Sequence, residues 1–285
     1  MSAAAPLIAE PVGTNETAGA RRIAAAFNAA REDSRIALIP YIVAGYPDAA
    51  TSLRIALAAI DAGADLLEVG LPYSDPLADG ATLQRASQVA LAAGATLDGS
   101  LGLIEQIAAA RPSTPIVPMG YANQFLGGGD GRVAARRLSD AGAAGVIVAD
   151  LTPDEGRPFE AVAREHELAV VYLVAPTTAP RRRADIAARS GGFLYCVSLV
   201  GVTGARTSLP SSVGRLVREV TAVSPIPVAV GFGVSQPAHV RVIARAGAGG
   251  VIVASALVDA LGDDGENVER MERLIRTLAT ATGAD

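Results

Sequence analysis

The sequence predicts an α/β fold, a single-domain (β/α)8 barrel with one extra helix ahead of the first strand. Three observations carry that expectation: eight short β-branched apolar runs, amphipathic helical stretches between them, and a length of 285 residues, half of them apolar. Continuous apolar strands that alternate with helices are covered on both faces and therefore parallel. Eight of them in a chain of this size close into a barrel rather than spreading into an open sheet.

The elements follow in order. Residues 1–16 place no basic residue ahead of an apolar stretch and contain Pro6, Pro11 and Gly13, so they read as a disordered tail and not a secretory signal. That leaves 17–285 as the catalytic barrel. Residues 17–30 read as the extra helix, able to cover the bottom of the barrel. Strands are expected at 36–43, 66–69, 116–119, 146–148, 170–174, 193–197, 228–230 and 251–253. A weak repeat supports three of them: Asp61-Ala-Gly-Ala, Asp140-Ala-Gly-Ala and Arg245-Ala-Gly-Ala each run into an apolar segment. Gly63, Gly142 and Gly247 then sit where a helix C-cap needs a left-handed residue. Two connections after strands are long, residues 70–115 and the Gly-rich stretch after Val197, and such loops build barrel active sites.

Composition removes several functions. The net charge is −5, and the only basic run is Arg181, Arg182 and Arg183, read as a solvated helix start, so no nucleic-acid footprint is present. No apolar run approaches the roughly 18 residues of a membrane span. The single cysteine, Cys196, lies in an apolar strand-like stretch and suits a reducing, cytoplasmic setting. All 24 Lys+Arg residues are arginine, which removes lysine imine chemistry and a lysine-linked pyridoxal phosphate. The two histidines, His166 and His239, fall far apart in helix-like stretches and read as partly exposed, so no metal site is expected.

Residues 67–80, LEVGLPYSDPLADG, put one carboxylate inside an apolar strand and two in the loop beyond it. Flanked by Leu66, Leu67 and Val69, Glu68 is costly facing the helices, so it is expected to point into the lumen near the catalytic face. Desolvation there raises its pKa toward that of a general acid; the plain alternative is a structural glutamate paired with an arginine. Asp75 and Asp79 share a loop stiffened by Pro72 and Pro76. Asp79 precedes Gly80 and a helix starting near Ala81, so it is either a cap or the second carboxylate of a small pocket. The segments GVTGA (201–205), VGFGV (230–234) and VIVASALV (251–258) follow the last three strands, where backbone N–H groups and Ser255 suit one phosphate.

These segments, with MGYAN at 119–123, resemble the tryptophan synthase alpha chain family, from about Phe27 to the last helix. The resemblance implies retro-aldol cleavage of indole-3-glycerol phosphate into indole and glyceraldehyde 3-phosphate, without a cofactor in this chain. It places the catalytic pair on Glu68 and Asp79, and substrate contacts on Tyr195, Thr203, Gly204, Gly233 and Ser255. Tyr41 matches an aromatic that in the family lies against the indole. The chain departs from the family at Ala254, where glycine is usual before the phosphate-site serine, and at Leu199 and Val200, where relatives carry a polar or basic residue. The implied partner is a beta chain holding pyridoxal phosphate, in an alpha2beta2 heterotetramer, met through Pro72, Asp75, Pro76 and Asn123. Leu71, Pro72, Tyr73, Pro76 and Leu77 are accordingly expected to form a poorly covered apolar loop. A stand-alone lyase and a catalytically silent subunit that activates a beta chain are the alternatives.

Overall fold

The computed structural model describes residues 16–127, 129–197, 211–231 and 233–283. Apart from Glu16, the expected tail lies outside the described residues, as do Leu199, Val200, Thr203 and Gly204.

The strands are β1 (Ala37–Val43), β2 (Leu67–Gly70), β3 (Ile116–Gly120), β4 (Gly145–Val148), β5 (Ala169–Val171), β6 (Leu173–Val174), β7 (Leu194–Val197), β8 (Val228–Gly231) and β9 (Gly250–Val253). Every pairing among them is parallel, in the order β5-β4-β3-β2-β1-β9-β8-β7-β6. The expected fifth strand is thus two, and the count is nine instead of eight. Its first half pairs with β4 (Val171 opposite Ile147) and its second with β7 (Leu173 opposite Tyr195), so one segment joins both edges and the ring closes. The break falls at Tyr172, whose N–H donates to Ser190 Oγ at 2.9 Å instead of to a strand.

Strand alternation sorts the core into two layers. Ile39, Leu66, Val117, Ile147, Val171, Phe193 and Ile252 fill the lumen, and Ile23 and Phe27 of α1 (Ala18–Glu32) pack into the same cluster. Thr17 caps that helix by accepting from Ala20 N–H at 3.1 Å. The extra helix therefore plugs the bottom of the barrel. Leu38, Leu67 and Val69 face outward into a second, larger cluster beneath the surrounding helices.

Those helices are α2 (Ala49–Asp61), α3 (Ala81–Ala92), α4 (Leu97–Ala110), α5 (Ala122–Leu126), α6 (Arg132–Asp140), α7 (Pro153–Glu165), α8 (Pro180–Arg189), α9 (Ser211–Thr221), α10 (Pro237–Arg245), α11 (Ser255–Leu261) and α12 (Val268–Ala279). The long connection after β2 carries two of them, α3 and α4. Gly63, Gly142 and Gly247 have φ of +115°, +88° and +90°, the left-handed geometry expected after α2, α6 and α10.

Two expectations about charged residues need correcting. Arg181 and Arg182 are exposed in the first turn of α8, but Arg183 is buried and pairs with Glu219 at 2.8 Å. His239, on α10, is 2% exposed and its Nδ1 accepts from Ser235 N–H at 3.3 Å. Cys196 is buried, and that burial pushes its thiol up to about 12.

Candidate active site

Because Leu66 faces the lumen, Glu68, two residues on, does too. It stands opposite Tyr41 on β1 and Val117 on β3. Its exposure is 0%, and neither carboxylate oxygen has a hydrogen-bond partner among the described residues. Among the described residues it therefore makes no structural pair with an arginine. Burial alone raises its pKa well above the ordinary carboxylate value.

The loop after β2 is tied to β3. Leu71 N–H donates to Met119 O at 2.8 Å, and Gln124 Nε2 donates to Pro72 O at 3.1 Å. A turn then closes from Asp79 N–H to Pro76 O at 3.0 Å, and Gln84 Nε2 donates to Asp79 O at 2.9 Å. Helix α3 begins at Ala81 with Gly80 as its N-cap and no side-chain cap bond, so the Asp79 carboxylate is left for other work. It is half-buried, and burial lifts its pKa to about 6 against the opposing pull of a hydrogen bond with Tyr121.

Tyr121 escaped the sequence reading, although it lies within MGYAN. Its hydroxyl accepts from Ala78 N–H at 3.0 Å, and its ring stacks on Tyr73 with centroids 5.0 Å apart. Asn123 Nδ2 in turn donates to the Tyr73 hydroxyl at 3.4 Å. An aromatic directly after a barrel strand was the available signal.

Tyr41 and Tyr195 are both buried, and each phenol is held well above its usual pKa. Desolvation is the main cause for both; the Asp79 and then Glu68 charges follow for Tyr41, and Glu68 then Tyr41 for Tyr195. The two are seated alike. A Cβ on Gly70 would lie 1.9 Å from the Tyr41 hydroxyl, and one on Gly231 would lie 2.8 Å from that of Tyr195. Val43 pairs with Gly70 and Val197 with Gly231, so each glycine lies opposite the residue two beyond its tyrosine.

Of the residues expected at the phosphate, Gly233 follows β8 and Ser255 opens α11 after the neighbouring β9. Gly233 has φ +65°, and a Cβ there would meet nothing within 4 Å, so its backbone angle, not crowding, calls for glycine. Ala254 has φ −121°, on the side that L-residues adopt, so its methyl does not force a left-handed backbone there. Thr203 and Gly204 lie outside the described residues.

On the outer side of the loop, Leu77 is 92% exposed, Asp75 and Asn123 are exposed, and Pro72 and Tyr73 are half-buried. Leu71 and Pro76 are buried, which corrects the expectation of a loop poorly covered along its length. They pack inward and stiffen it. Among the described residues no three His, Cys, Asp or Glu side chains converge as a metal ion needs, and no helix is long and apolar enough to cross a membrane.

The family model for the tryptophan synthase alpha chain matches residues 27–283. The chain is 46% identical over 259 residues to the tryptophan synthase alpha chain of Roseiflexus castenholzii, covering 90% of this chain and 98% of that one. It is 44% identical over 250 residues to that of Mycobacterium ulcerans, covering 88% and 91%. Among solved structures it is similar to Mycobacterium tuberculosis tryptophan synthase, with TM-score 0.85, 41% identity, and coverage of 93% and 99%. It is also similar to a mutant tryptophan synthase alpha-subunit from Pyrococcus furiosus, with TM-score 0.80, 35% identity, and coverage of 86% and 99%.

Proposed function

The chain belongs to the tryptophan synthase alpha chain family, and on that premise we propose how its own residues carry out the retro-aldol cleavage of indole-3-glycerol phosphate in tryptophan biosynthesis. The reaction needs an electron sink. Without a lysine imine, the substrate supplies one: a proton added to the ring carbon that bears the side chain turns the indole into an indolenine-like cation. Loss of the proton from the adjacent hydroxyl then forms the aldehyde of glyceraldehyde 3-phosphate, the carbon–carbon bond breaks, and its electron pair restores the indole ring.

Glu68 gives the first proton and takes the second, so it ends the cycle as it began. Its raised pKa suits it to hold a proton near neutral pH. Asp79, ionised above about 6, accepts from the ring N–H, where positive charge develops. Tyr41 and Tyr195 flank the ring from opposite parts of the lumen. Thr203, Gly204, Gly233 and Ser255 receive the phosphate. No cofactor belongs to this chain; pyridoxal phosphate resides in the beta chain, which docks at Pro72, Asp75 and Asn123, with the buried Pro76 stiffening the loop behind them, to give an alpha2beta2 assembly in the cytoplasm.

The observation that carries this reading is a fully buried lumen glutamate with neither oxygen bonded among the described residues, in a site shared with an aspartate lifted to about 6. Glu68→Gln keeps the shape and removes the exchangeable proton. Indole release from indole-3-glycerol phosphate is expected to fall by ~10²–10⁴-fold, with the circular-dichroism spectrum unchanged. Turnover within a few-fold of the parent removes Glu68 from the mechanism.

A further inference from the structure

The proton steps above give the Tyr121 hydroxyl no task, yet its place is fixed by contacts on every part of the residue. Tyr121 directly follows β3 and is the N-cap of α5. Its N–H donates to Gln124 Oε1 at 3.0 Å, and the same Gln124 reaches across to Pro72 O at the start of the catalytic loop. The ring is buried and stacks on Tyr73. The oxygen accepts from Ala78 N–H at 3.0 Å. Among the described residues, Tyr121 is the one hydrogen-bond partner that residues 75–79 have beyond their own loop and Gln84 of α3. The exposed stretch around Leu77 is thus moored to the barrel by a single phenol.

A phenol oxygen that accepts from a main-chain N–H still has one proton to give. Asp79 is the residue after Ala78, and its carboxylate is hydrogen-bonded with Tyr121. Burial, and then the Asp79 charge, hold the phenol above its ordinary pKa, so it stays protonated and is the donor of that bond. No cation and no second side-chain bond acts on Asp79. We propose that Tyr121 is a positioning residue for Asp79: one oxygen, fixed at the end of β3, receives the Ala78 N–H and gives its proton to the Asp79 carboxylate, which sets how that carboxylate meets the ring N–H of the substrate. The inference rests on the reading of Asp79 given above. The other titratable groups around the pair are Tyr41 of β1, Glu68 of β2, Tyr195 of β7 and Asp150 beyond β4, which accepts from Ala122 N–H at 2.7 Å. None of them brings a positive charge to Asp79. A hydroxyl bonded to a carboxylate stabilises the ionised form, so its removal raises the carboxyl pKa. A ring kept only for packing has no such effect.

Tyr121→Phe keeps the ring and its stack and removes the oxygen. Indole release from indole-3-glycerol phosphate is measured from pH 5 to 9 for the parent, Tyr121→Phe and Asp79→Asn, with kcat and KM separated and folding checked by thermal melting. On the roles assigned above, activity is lost at low pH as Asp79 takes up a proton and at high pH as Glu68 loses its own. For Tyr121→Phe we expect kcat to fall about tenfold at neutral pH, KM to change little, and the acid limb of kcat/KM to move upward by about one pH unit with the alkaline limb in place. Site-specific replacement of Tyr121 by 3-fluorotyrosine is the second variant: its phenol is more acidic and a stronger donor, so the acid limb is expected to move downward. An acid limb that fails to rise in folded Tyr121→Phe overturns the inference, whatever kcat does; where that variant does not fold, a limb that fails to fall with 3-fluorotyrosine overturns it instead. If Asp79→Asn is severely impaired in that case, the reading of Asp79 stands and only the role of Tyr121 falls; if Asp79→Asn retains full turnover, both fall together.

Discussion

Asp79 titrates at about 6 in the folded chain against an ordinary value of 3.8, and the difference bears on stability as well as catalysis. Between those two values the folded state holds a proton that the unfolded state has released. Stability therefore declines as pH rises through that window, and the full cost is present above about 6. Allowing for solvent at a half-buried group, that cost is ~1–2 kcal/mol. Asp79→Asn is accordingly expected to melt higher than the parent at pH 8, with the gain vanishing near pH 4, while indole release drops severely. Equal melting at both pH values argues against a strained carboxylate. At this scale Glu68 was legible because a carboxylate inside an apolar strand has few tolerable directions. The Asp79 assignment drew on the family resemblance, since Asp before Gly reads equally well as a cap, and only the structure shows that Gly80 is the cap. Tyr121 was marked only by its place directly after a barrel strand; its partner was not legible, because the bond to Ala78 spans 43 residues and no local pattern records it.

At the level of elements, strand periodicity placed every barrel strand to within a residue or two and missed the break at Tyr172. Residues 170–174 are uniformly apolar or aromatic, so nothing local marks the interruption. Its cause is tertiary. The Tyr172 hydroxyl donates to Glu160 Oε1 at 2.5 Å, Arg189 donates to the same oxygen at 2.6 Å, and a Cβ on Gly156 would lie 2.0 Å from that hydroxyl. The three side chains tie α7, the broken strand and α8 together out of water. Removing the carboxylate leaves the buried Tyr172 hydroxyl without its acceptor and takes the ion pair from Arg189, so Glu160→Ala is expected to cost ~3 kcal/mol in chemical denaturation; a loss under ~1 kcal/mol would mean that water replaces the carboxylate. Helix α1 offers a second test. Phe27 packs on Phe193 with centroids 5.7 Å apart, and Phe193 on Tyr195 at 6.3 Å, an aromatic column from the plug to the site. Phe27→Ala is expected to cost ~3–4 kcal/mol, and melting like the parent's would show that the plug is dispensable.

For the whole molecule, closure of the barrel followed from eight apolar runs and the chain length, whereas the way a beta chain docks does not follow from one chain alone. Among the described residues of the loop after β2, Ser74, Asp75, Leu77 and Ala78 are exposed, as is Asn123 beside it, and Leu77 is the one large apolar side chain among them. Replacing Leu77 by Asp changes a residue that touches nothing essential to the barrel, so calorimetry with a purified cognate beta chain is expected to show affinity weakened about tenfold or more, with the basal cleavage rate of the isolated chain unchanged. Undiminished affinity would move the contact elsewhere on the catalytic face.

The gathering of phenols at the mouth of the barrel has an optical consequence. The chain contains no tryptophan and six tyrosines, and four of those, Tyr41, Tyr73, Tyr121 and Tyr195, belong to the active-site loops and lumen. Most of the chain's tyrosines therefore report on the catalytic centre. An indole ring absorbs where tyrosine emits, so a substrate or product seated among those rings would quench them and emit at longer wavelength in their place. The unlabelled protein thus carries its own reporter: indole entering or leaving the barrel can be followed in real time, with no intrinsic tryptophan signal to subtract.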